Sequence, residues 1–377
     1  MKVSSEDTKY MRMALRLAAR GFGAVEPNPM VGCVIVKSNQ VIGKGFHGKF
    51  GKPHAEISAI EDCKNIGAKP DGATMYVTLE PCCHQGKTGP CTEAIIEAKP
   101  ARVVVAAVDP SEHAQGRGIS QIQNAGIRVE VGLCGQEARL LNTGFFKFAK
   151  TKRPWVILKW AQSIDGKLTW RDRKTDDAKW ISNELSRKDA HKLRRSVQGI
   201  LIGINTVMAD NPSLIPRPPK GRKPARIVLD VNLQIPLTCK LLRAAKSFPV
   251  IIVTDRASAE VNPTKAKRIE KKGAELVYVP TSEGRCDLEA VISELGRRGV
   301  AQLLVEGGAE VITSFLKGGF ADAVKVYIAP KILGQSGAAG ITESMAQLAG
   351  AASLHYVTVS QFEGDVCISG LLKELEC

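Results

Sequence analysis

A histidine, a glutamate and two cysteines stand at spacings suited to hydrolytic metal chemistry. His54 and Glu56 lie in Pro53-His54-Ala55-Glu56, and Cys82 and Cys91 in the stretch from Glu80-Pro81-Cys82-Cys83-His84 to Pro90-Cys91. One imidazole and two thiolates make three protein ligands. That is the number a catalytic zinc keeps when its fourth position is reserved for water, whereas a structural zinc is closed by four. Zinc lowers the pKa of its water to about 7 and so provides a nucleophile at neutral pH. Glu56, beside the ligands but not one of them, can take the water's proton and pass it to a departing group. The competing reading makes His54 a helix cap and the two cysteines buried thiols. The strand-like Met75-Tyr76-Val77-Thr78-Leu79 run that leads into Pro81-Cys82 favours the metal. Adjacent residues seldom both reach one tetrahedral ion, so Cys83 and His84 read as pocket wall.

These residues must be held by local structure. Ala55, Ile57, Ala59 and Ile60 predict a helix with His54 and Glu56 in its first turn. Cys91 precedes the helical pattern Thr92–Ala98, and a helix N-terminus favours thiolate. Met11, Ala14, Leu15, Leu17 and Ala18 predict a first helix, capped by Ser4 or Ser5. Val31–Val36 and Val41–Gly43 read as a hairpin across Ser38-Asn39. Strands at Arg102–Val108 and Ile127–Val131 alternate with helices at Ile119–Asn124 and Gln136–Lys147. Such alternation implies a three-layer α/β/α domain over residues 1–150, closed by a linker at Thr151–Pro154.

Residues 151–377 restart the pattern with a strand at Trp155–Lys159. Further strands are expected at Gly199–Gly203, Arg226–Asp230, Val250–Thr254, Leu276–Val279, Leu303–Glu306 and Val324–Ala329. Helices are expected near Asn183–Arg195, Thr264–Lys272, Leu288–Arg297 and Ala309–Leu316. Tyr356–Phe362 and Val366–Leu372 read as a terminal β pair, and Arg217–Pro224 as a mobile loop. No repeat relates the two halves.

A chain of 377 residues, 44% hydrophobic, is too long for one ordinary core. No apolar run of about 18 residues is present, so no membrane span is expected. The N-terminal stretch lacks the apolar core of a signal peptide. Ten cysteines scattered along such a chain fit reduced thiols in the cytoplasm better than disulfides. The net charge of +15 divides as +5 over residues 1–150 and +10 over the rest. A nucleic-acid partner would suit that sign. The basic residues are nevertheless dispersed, with no basic-aromatic stripe, and a cleft for a phosphorylated small molecule explains the sign equally well.

The motif blocks resemble, over nearly the full length, the bifunctional riboflavin-biosynthesis deaminase/reductase family. In the first half these are Pro27-Asn28-Pro29-Met30-Val31-Gly32-Cys33-Val34, Gly43-Lys44-Gly45-Phe46-His47, His54-Ala55-Glu56, Glu80-Pro81-Cys82 with Pro90-Cys91, and Asp109-Pro110 followed by Gly116-Arg117-Gly118. Zinc nucleobase deaminases share the ligand pattern, but the eight residues between Cys82 and Cys91 suit this family better than the shorter spacing of cytidine and tRNA deaminases. The resemblance implies a cytidine-deaminase-like domain acting on a pyrimidine with a phosphoribosylamino arm. It also implies that Asn28 and His47 line the pocket. Without it, they would read equally well as a turn asparagine and a surface histidine. Asp109-Pro110-Ser111-Glu112 departs from the family's frequent Asp-Pro-Asn-Pro, which puts substrate contacts from this loop in doubt.

The second half resembles the family's reductase domain, dihydrofolate-reductase-like in fold and NADPH-dependent. Its blocks are Leu158-Lys159-Trp160-Ala161-Gln162-Ser163-Ile164-Asp165-Gly166-Lys167, Lys179-Trp180-Ile181-Ser182, Gly203-Ile204-Asn205-Thr206-Val207, Ala209-Asp210-Asn211-Pro212-Ser213-Leu214 and Val305-Glu306-Gly307-Gly308. The resemblance implies cofactor contacts from Ala161, Trp180, Thr206, Asp210 and Gly308. Substrate contacts would come from Ala178, Arg194, Leu214, Arg217 and Glu306. On the residues alone, Trp180 could equally be core, the two arginines surface charge and Gly307-Gly308 a turn. Ala178 replaces the family's usual serine, and Trp170–Thr175 lengthens its loop. No GxGxxG fingerprint marks a Rossmann domain. Hydride would pass to the ribose C1, giving a ribityl product, and no general acid stands out. The resemblance further implies a homo-oligomer assembled through the reductase domain. Other classes stay open: a deaminase with a weakened reductase, an RNA editor, or a zinc-stabilised assembly protein.

Overall fold

The computed structural model describes residues 5–85, 89–112, 114–172, 180–219, 221–338, 345, 348 and 350–375. The chain divides into two compact units, the first ending at Lys152 and the second running Arg153–Glu374.

The first unit opens with α1 (Ser5–Ala18), which buries Tyr10, Met11, Ala14 and Ala18 along one stripe, as a 3.6-residue period dictates. Strands β1 (Gly32–Lys37) and β2 (Gln40–Phe46) pair antiparallel. Ser38 and Asn39 between them sit at φ 50° and 59°, the left-handed pair that a type I′ turn needs. There follow α2 (Ala55–Asn65), β3 (Thr74–Val77), α3 (Cys91–Ala98), β4 (Arg102–Val105), α4 (Arg117–Asn124), β5 (Arg128–Val131), α5 (Gly135–Leu141) and α6 (Thr143–Thr151). The sheet order is β2-β1-β3-β4-β5, with β3, β4 and β5 parallel.

Strand alternation gives this sheet two apolar faces. Cys33, Ile35, Met75, Val77, Val103 and Val105 pack with Ala55, Ala59, Ile95 and Ile122. Val34, Val36, Tyr76 and Val104 pack with Tyr10, Met11, Ala14 and Ala138. The result is the three-layer α/β/α arrangement expected from the sequence. Two glycines let helices press on opposite faces of the hairpin. A Cβ at Gly32 would lie 2.0 Å from the Ala14 carbonyl oxygen, and one at Gly45 2.2 Å from that of Ala55. Ala55 opens α2, so Gly45 helps to set where His54 and Glu56 stand.

Two expectations need correction. The single helix at Gln136–Lys147 is two, α5 and α6, broken at Asn142. The Asn142 carboxamide accepts from the Met30 N–H and donates to the Met30 carbonyl, both at 2.8 Å. Continuing one regular helix through this position would give up that clasp. His54 is the N-cap of α2 and does not lie in its first turn.

The second unit contains β6 (Trp155–Ser163), α7 (Glu184–Ser196), β7 (Gly199–Gly203), α8 (Ile204–Asp210), β8 (Ala225–Leu229), α9 (Lys240–Arg243), β9 (Val250–Thr254), α10 (Arg256–Val261), α11 (Pro263–Lys271) and β10 (Glu275–Tyr278). The short β11 (Thr281–Ser282) and β12 (Arg285–Cys286) precede α12 (Leu288–Arg297), β13 (Gln302–Val305), α13 (Ala309–Lys317), β14 (Ala323–Ala329), β15 (His355–Phe362) and β16 (Asp365–Leu371). Nine strands run in the order β10-β9-β8-β7-β13-β6-β14-β16-β15. They are parallel as far as β14, and β14-β16-β15 closes the sheet antiparallel. Leu193, Val207, Leu241 and Ile269 cover Ile200, Ile202, Val228 and Ile252 on one face. Val291, Ile292, Ile312 and Phe315 cover Leu158, Leu201, Ile227 and Leu303 on the other. Helices α8, α9 and α10, at seven residues or fewer, were too short to show a period in the sequence.

Candidate metal centre and active sites

In the first unit the strand end of β3 and the starts of α2 and α3 converge. The His54 Nδ1 and the Sγ atoms of Cys82 and Cys91 lie within 4.8 Å of one another. Nδ1 is 3.2 Å from the Cys91 sulfur and 3.5 Å from that of Cys82. A tetrahedral zinc with ordinary bonds to nitrogen and sulfur separates its ligand atoms by about 3.5–3.8 Å, so this donor set fits the ion. His54 holds the N-cap position of α2, yet its side chain makes no capping hydrogen bond. An imidazole that forgoes the cap and lies against two sulfurs favours the metal reading over the capping one.

The backbone fixes both cysteines. The Cys91 N–H, at the start of α3, donates to the Cys82 sulfur at 3.4 Å, and the Thr92 N–H to the Cys82 carbonyl at 3.2 Å. The Cys91 thiol, the His54 ring and that N–H together pull the Cys82 thiol down to about 4, against burial. Cys91 itself is held up by sharing a proton with Cys82 and by burial. The Cys91 N–H at the start of α3 thus favours negative charge on the Cys82 sulfur. Glu56 is 3% exposed. Burial, reinforced by the Cys82 charge, raises its carboxyl to about 7, a level that a nearby dication would oppose. Two sulfurs, one of them held low, and a buried carboxyl around one imidazole make a donor set suited to a cation.

His47 is buried, not on the surface. Its Nδ1 is 3.2 Å from the Pro53 carbonyl, its Nε2 3.5 Å from Asn28 Nδ2, and its ring meets that of His54 edge-on at 5.2 Å. Asn28 and His47 are thus brought beside the cluster of His54, Cys82 and Cys91. Cys83 is partly buried and His84 exposed, and neither joins the ligand cluster. Asp109 Oδ1 accepts from the Ser111 N–H at 2.8 Å and from its hydroxyl at 2.5 Å, which turns that carboxylate oxygen back on its own loop.

In the second unit, Arg194 on α7 grips Glu306 at the end of β13. Its Nε lies 3.0 and 3.1 Å from the two carboxylate oxygens, and Nη2 also contacts Oε2. Burial pushes Glu306 up, but Arg194 and Lys159 bring it below the usual carboxylate range. Burial also lowers the Lys159 ammonium, and its Nζ stands 5.4 Å from the Tyr327 ring centre. His191 is pushed down to about 4 by burial, then by Arg194 and Arg217. Lys159, His191, Arg194, Arg217 and Glu306 therefore share one electrostatic neighbourhood. Arg217 is itself exposed, and Leu214 is buried at φ 55°.

Gly308 is the N-cap of α13, a helix start with no side-chain cap. A Cβ there would approach Thr206 Oγ1 at 3.8 Å, so Gly308 and Thr206 lie together across an open helix N-terminus. Such a terminus suits an anionic group, and these residues fit the phosphates of a dinucleotide. Ala161 pairs with Tyr327 across β6 and β14. Trp180 is half exposed, so it is not core, and the Arg187 guanidinium lies 5.1 Å from its ring centre. Asp210 ends α8 and is exposed. Ala178, and residues 173–175 of the lengthened loop, lie outside the described residues.

Comparison with known proteins agrees with this geometry. Residues 4–107 match the family described as the cytidine and deoxycytidylate deaminase zinc-binding region, and residues 154–368 match the RibD C-terminal domain. A riboflavin biosynthesis protein RibD from Aquifex aeolicus (strain VF5) is 44% identical over 330 residues, 87% of this chain and 88% of that protein. The chain belongs to the RibD family. The RibD of Escherichia coli (strain K12) is 35% identical over 96% of this chain and 98% of its own. A solved RibD from Acinetobacter baumannii superposes with a TM-score of 0.81 at 34% identity, covering 97% of this chain and 98% of its own. As a RibD the chain is a bifunctional deaminase/reductase of riboflavin biosynthesis, with a zinc-binding deaminase domain and a reductase domain that uses a nicotinamide cofactor. No described helix is long and apolar enough to cross a membrane.

Lys159 and Glu80 were quoted from the sequence without a role. Only burial beside Glu306 marks the first, and only backbone partners far along the chain mark the second.

Proposed function

We propose that the first unit removes the exocyclic amine of 2,5-diamino-6-(5-phosphoribosylamino)pyrimidin-4-one by hydrolysis. The second unit then reduces the ribosyl group with NADPH to give 5-amino-6-(5-phosphoribitylamino)uracil. The relative from Thermotoga maritima, solved as a diaminohydroxyphosphoribosylaminopyrimidine deaminase and 5-amino-6-(5-phosphoribosylamino)uracil reductase, covers 97% of its own chain in the match at 34% identity. The observation that carries the reading is the convergence of His54, Cys82 and Cys91 within 4.8 Å beside buried Glu56.

In this reading His54, Cys82 and Cys91 hold the zinc, which when bound supplies Lewis-acid activation of the attacking water. Glu56 takes the water's proton and delivers it to the leaving amine. Asn28 presents an amide edge to the pyrimidine, steadied by His47. In the second unit Ala161, Trp180, Thr206, Asp210 and Gly308 hold NADPH, which supplies the hydride. Arg194 and Arg217 attract the substrate phosphate, and Leu214, whose side chain is in the core, meets the substrate through its backbone. Lys159, an ammonium facing Glu306, is the candidate acid for the opening ribose oxygen.

The enzyme acts in the cytoplasm, supported by its described cysteines being free thiols. It assembles as a homo-oligomer through the second unit, where edge strand β15 leaves Val357 and Val359 exposed. A coupled assay of the purified chain with measured zinc content tests the whole. Ammonia release without zinc, or no NADPH oxidation with the deaminated intermediate, would overturn the corresponding half.

A further inference from the structure

Glu80 is 4% exposed and two residues ahead of the metal-facing Cys82. Its carboxylate Oε2 accepts from the Asp109 and Gly116 N–H groups at 3.1 and 3.0 Å, and Oε1 from those of Gly118 and Ile119 at 2.9 and 3.2 Å. Four backbone donors saturate what a carboxylate can accept. A glycine-bearing helix N-terminus such as that of α4 is ready to hold a phosphate, but here Glu80 already fills it. The docking is close: a Cβ on Gly118 would lie 2.1 Å from the Pro81 carbonyl oxygen. Helix α4 reaches the other sulfur ligand as well. Gln121 Oε1 accepts from the hydroxyl of Thr92, the residue after Cys91, at 2.7 Å. One buried carboxylate therefore seats a helix that braces both cysteine-bearing segments.

We infer that Glu80 is a positioning residue for the metal centre, fixing the separation of the Cys82 and Cys91 sulfurs by docking α4 against both. The inference rests on the reading of His54, Cys82 and Cys91 as the zinc site. Outer partners that orient metal ligands are typically worth about 10–100-fold in metal affinity. Glu80→Gln keeps the shape but turns an NH2 group towards two backbone donors.

The test is zinc affinity of the full-length chain, measured by competition with a chromophoric chelator, alongside both activities. Glu80→Gln is expected to bind zinc about 10–100-fold more weakly. Its deamination should recover in excess zinc, and its NADPH-dependent reduction should match the parent. Zinc affinity within twofold of the parent overturns the inference, as does lost deamination with zinc held at parental affinity. Should Glu80→Gln fail to fold, Gly118→Ala decides in the same terms, because it forces α4 from Pro81 with the carboxylate kept. Weaker zinc supports the inference and unchanged zinc overturns it. A parent chain that binds no zinc would instead sink the metal-site reading itself.

Discussion

The Nδ1 atom of His47 lies 3.2 Å from the carbonyl oxygen of Pro53, the residue before the metal-facing His54. A carbonyl only accepts, so Nδ1 carries the proton and Nε2 offers its lone pair to the Asn28 amide. Burial lowers the pKa of the ring, which favours its neutral form. His47 thus joins the Asn28 loop to the segment that carries the imidazole ligand. Replacing it with alanine is expected to lower kcat/KM for deamination at least about tenfold, the equivalent of one lost hydrogen bond of roughly 1.4 kcal/mol. Zinc content and the reductase rate should not change. Steady-state kinetics of both reactions on one preparation check this.

Glu56→Gln keeps size and burial and removes the proton acceptor. Deamination should fall by about 10²–10⁴-fold, the usual contribution of a general acid–base group. Bound zinc, read by metal analysis, should stay stoichiometric, and reduction should proceed at the parental rate. Unimpaired ammonia release would remove Glu56 from the mechanism.

Arg194→Ala leaves the Glu306 carboxylate, whose side chain is 8% exposed, without its main partner. Breaking such a pair costs about 3–5 kcal/mol of stability. The unfolding transition of the second unit should shift accordingly, while deamination persists. Replacing both residues with apolar ones of similar size should recover most of the stability and none of the reduction.

Asp165 predicts a pH effect. Its carboxylate accepts from the Ser163 hydroxyl at 2.6 Å and from the Leu333 and Gly334 N–H groups at 3.0 and 2.8 Å. These bonds, the hydroxyl foremost, hold it down to about 2. A carboxyl depressed in the folded state stabilises fully above its unfolded pKa of about 3.9 and loses that contribution as pH falls towards its folded value. Asp165→Asn should therefore lose stability at neutral pH and lose less than the parent between about pH 4 and pH 2. Urea unfolding across that window reads the difference.

The sequence made the hairpin legible because Ser38-Asn39 is local turn chemistry between two apolar runs. The His54, Cys82 and Cys91 cluster was legible because its residue types are rare and their neighbours periodic. What escaped depends on distant backbone. Asn142 breaks a helix for the sake of Met30, 112 residues earlier, and no window of sequence contains both. Glu80 looked like a motif letter because its four partners are N–H groups, which every residue carries. The Cys91 N–H points at the Cys82 sulfur, a contact between two segments that spacing alone does not announce. In the second unit the parallel strands announced themselves as apolar runs, but the left-handed turn at buried Leu214 left no signature.

The Asn142 clasp also bears on where the catalytic module can be cut. His54, Glu56, Cys82 and Cys91 all fall before residue 92, and the deaminase family match stops at residue 107. A fragment trimmed to that boundary would keep all of the reactive groups and discard the hand that steadies Met30, two places along from Asn28. Such a piece would be chemically complete and poorly aimed, so anyone isolating this half should carry the chain through α6.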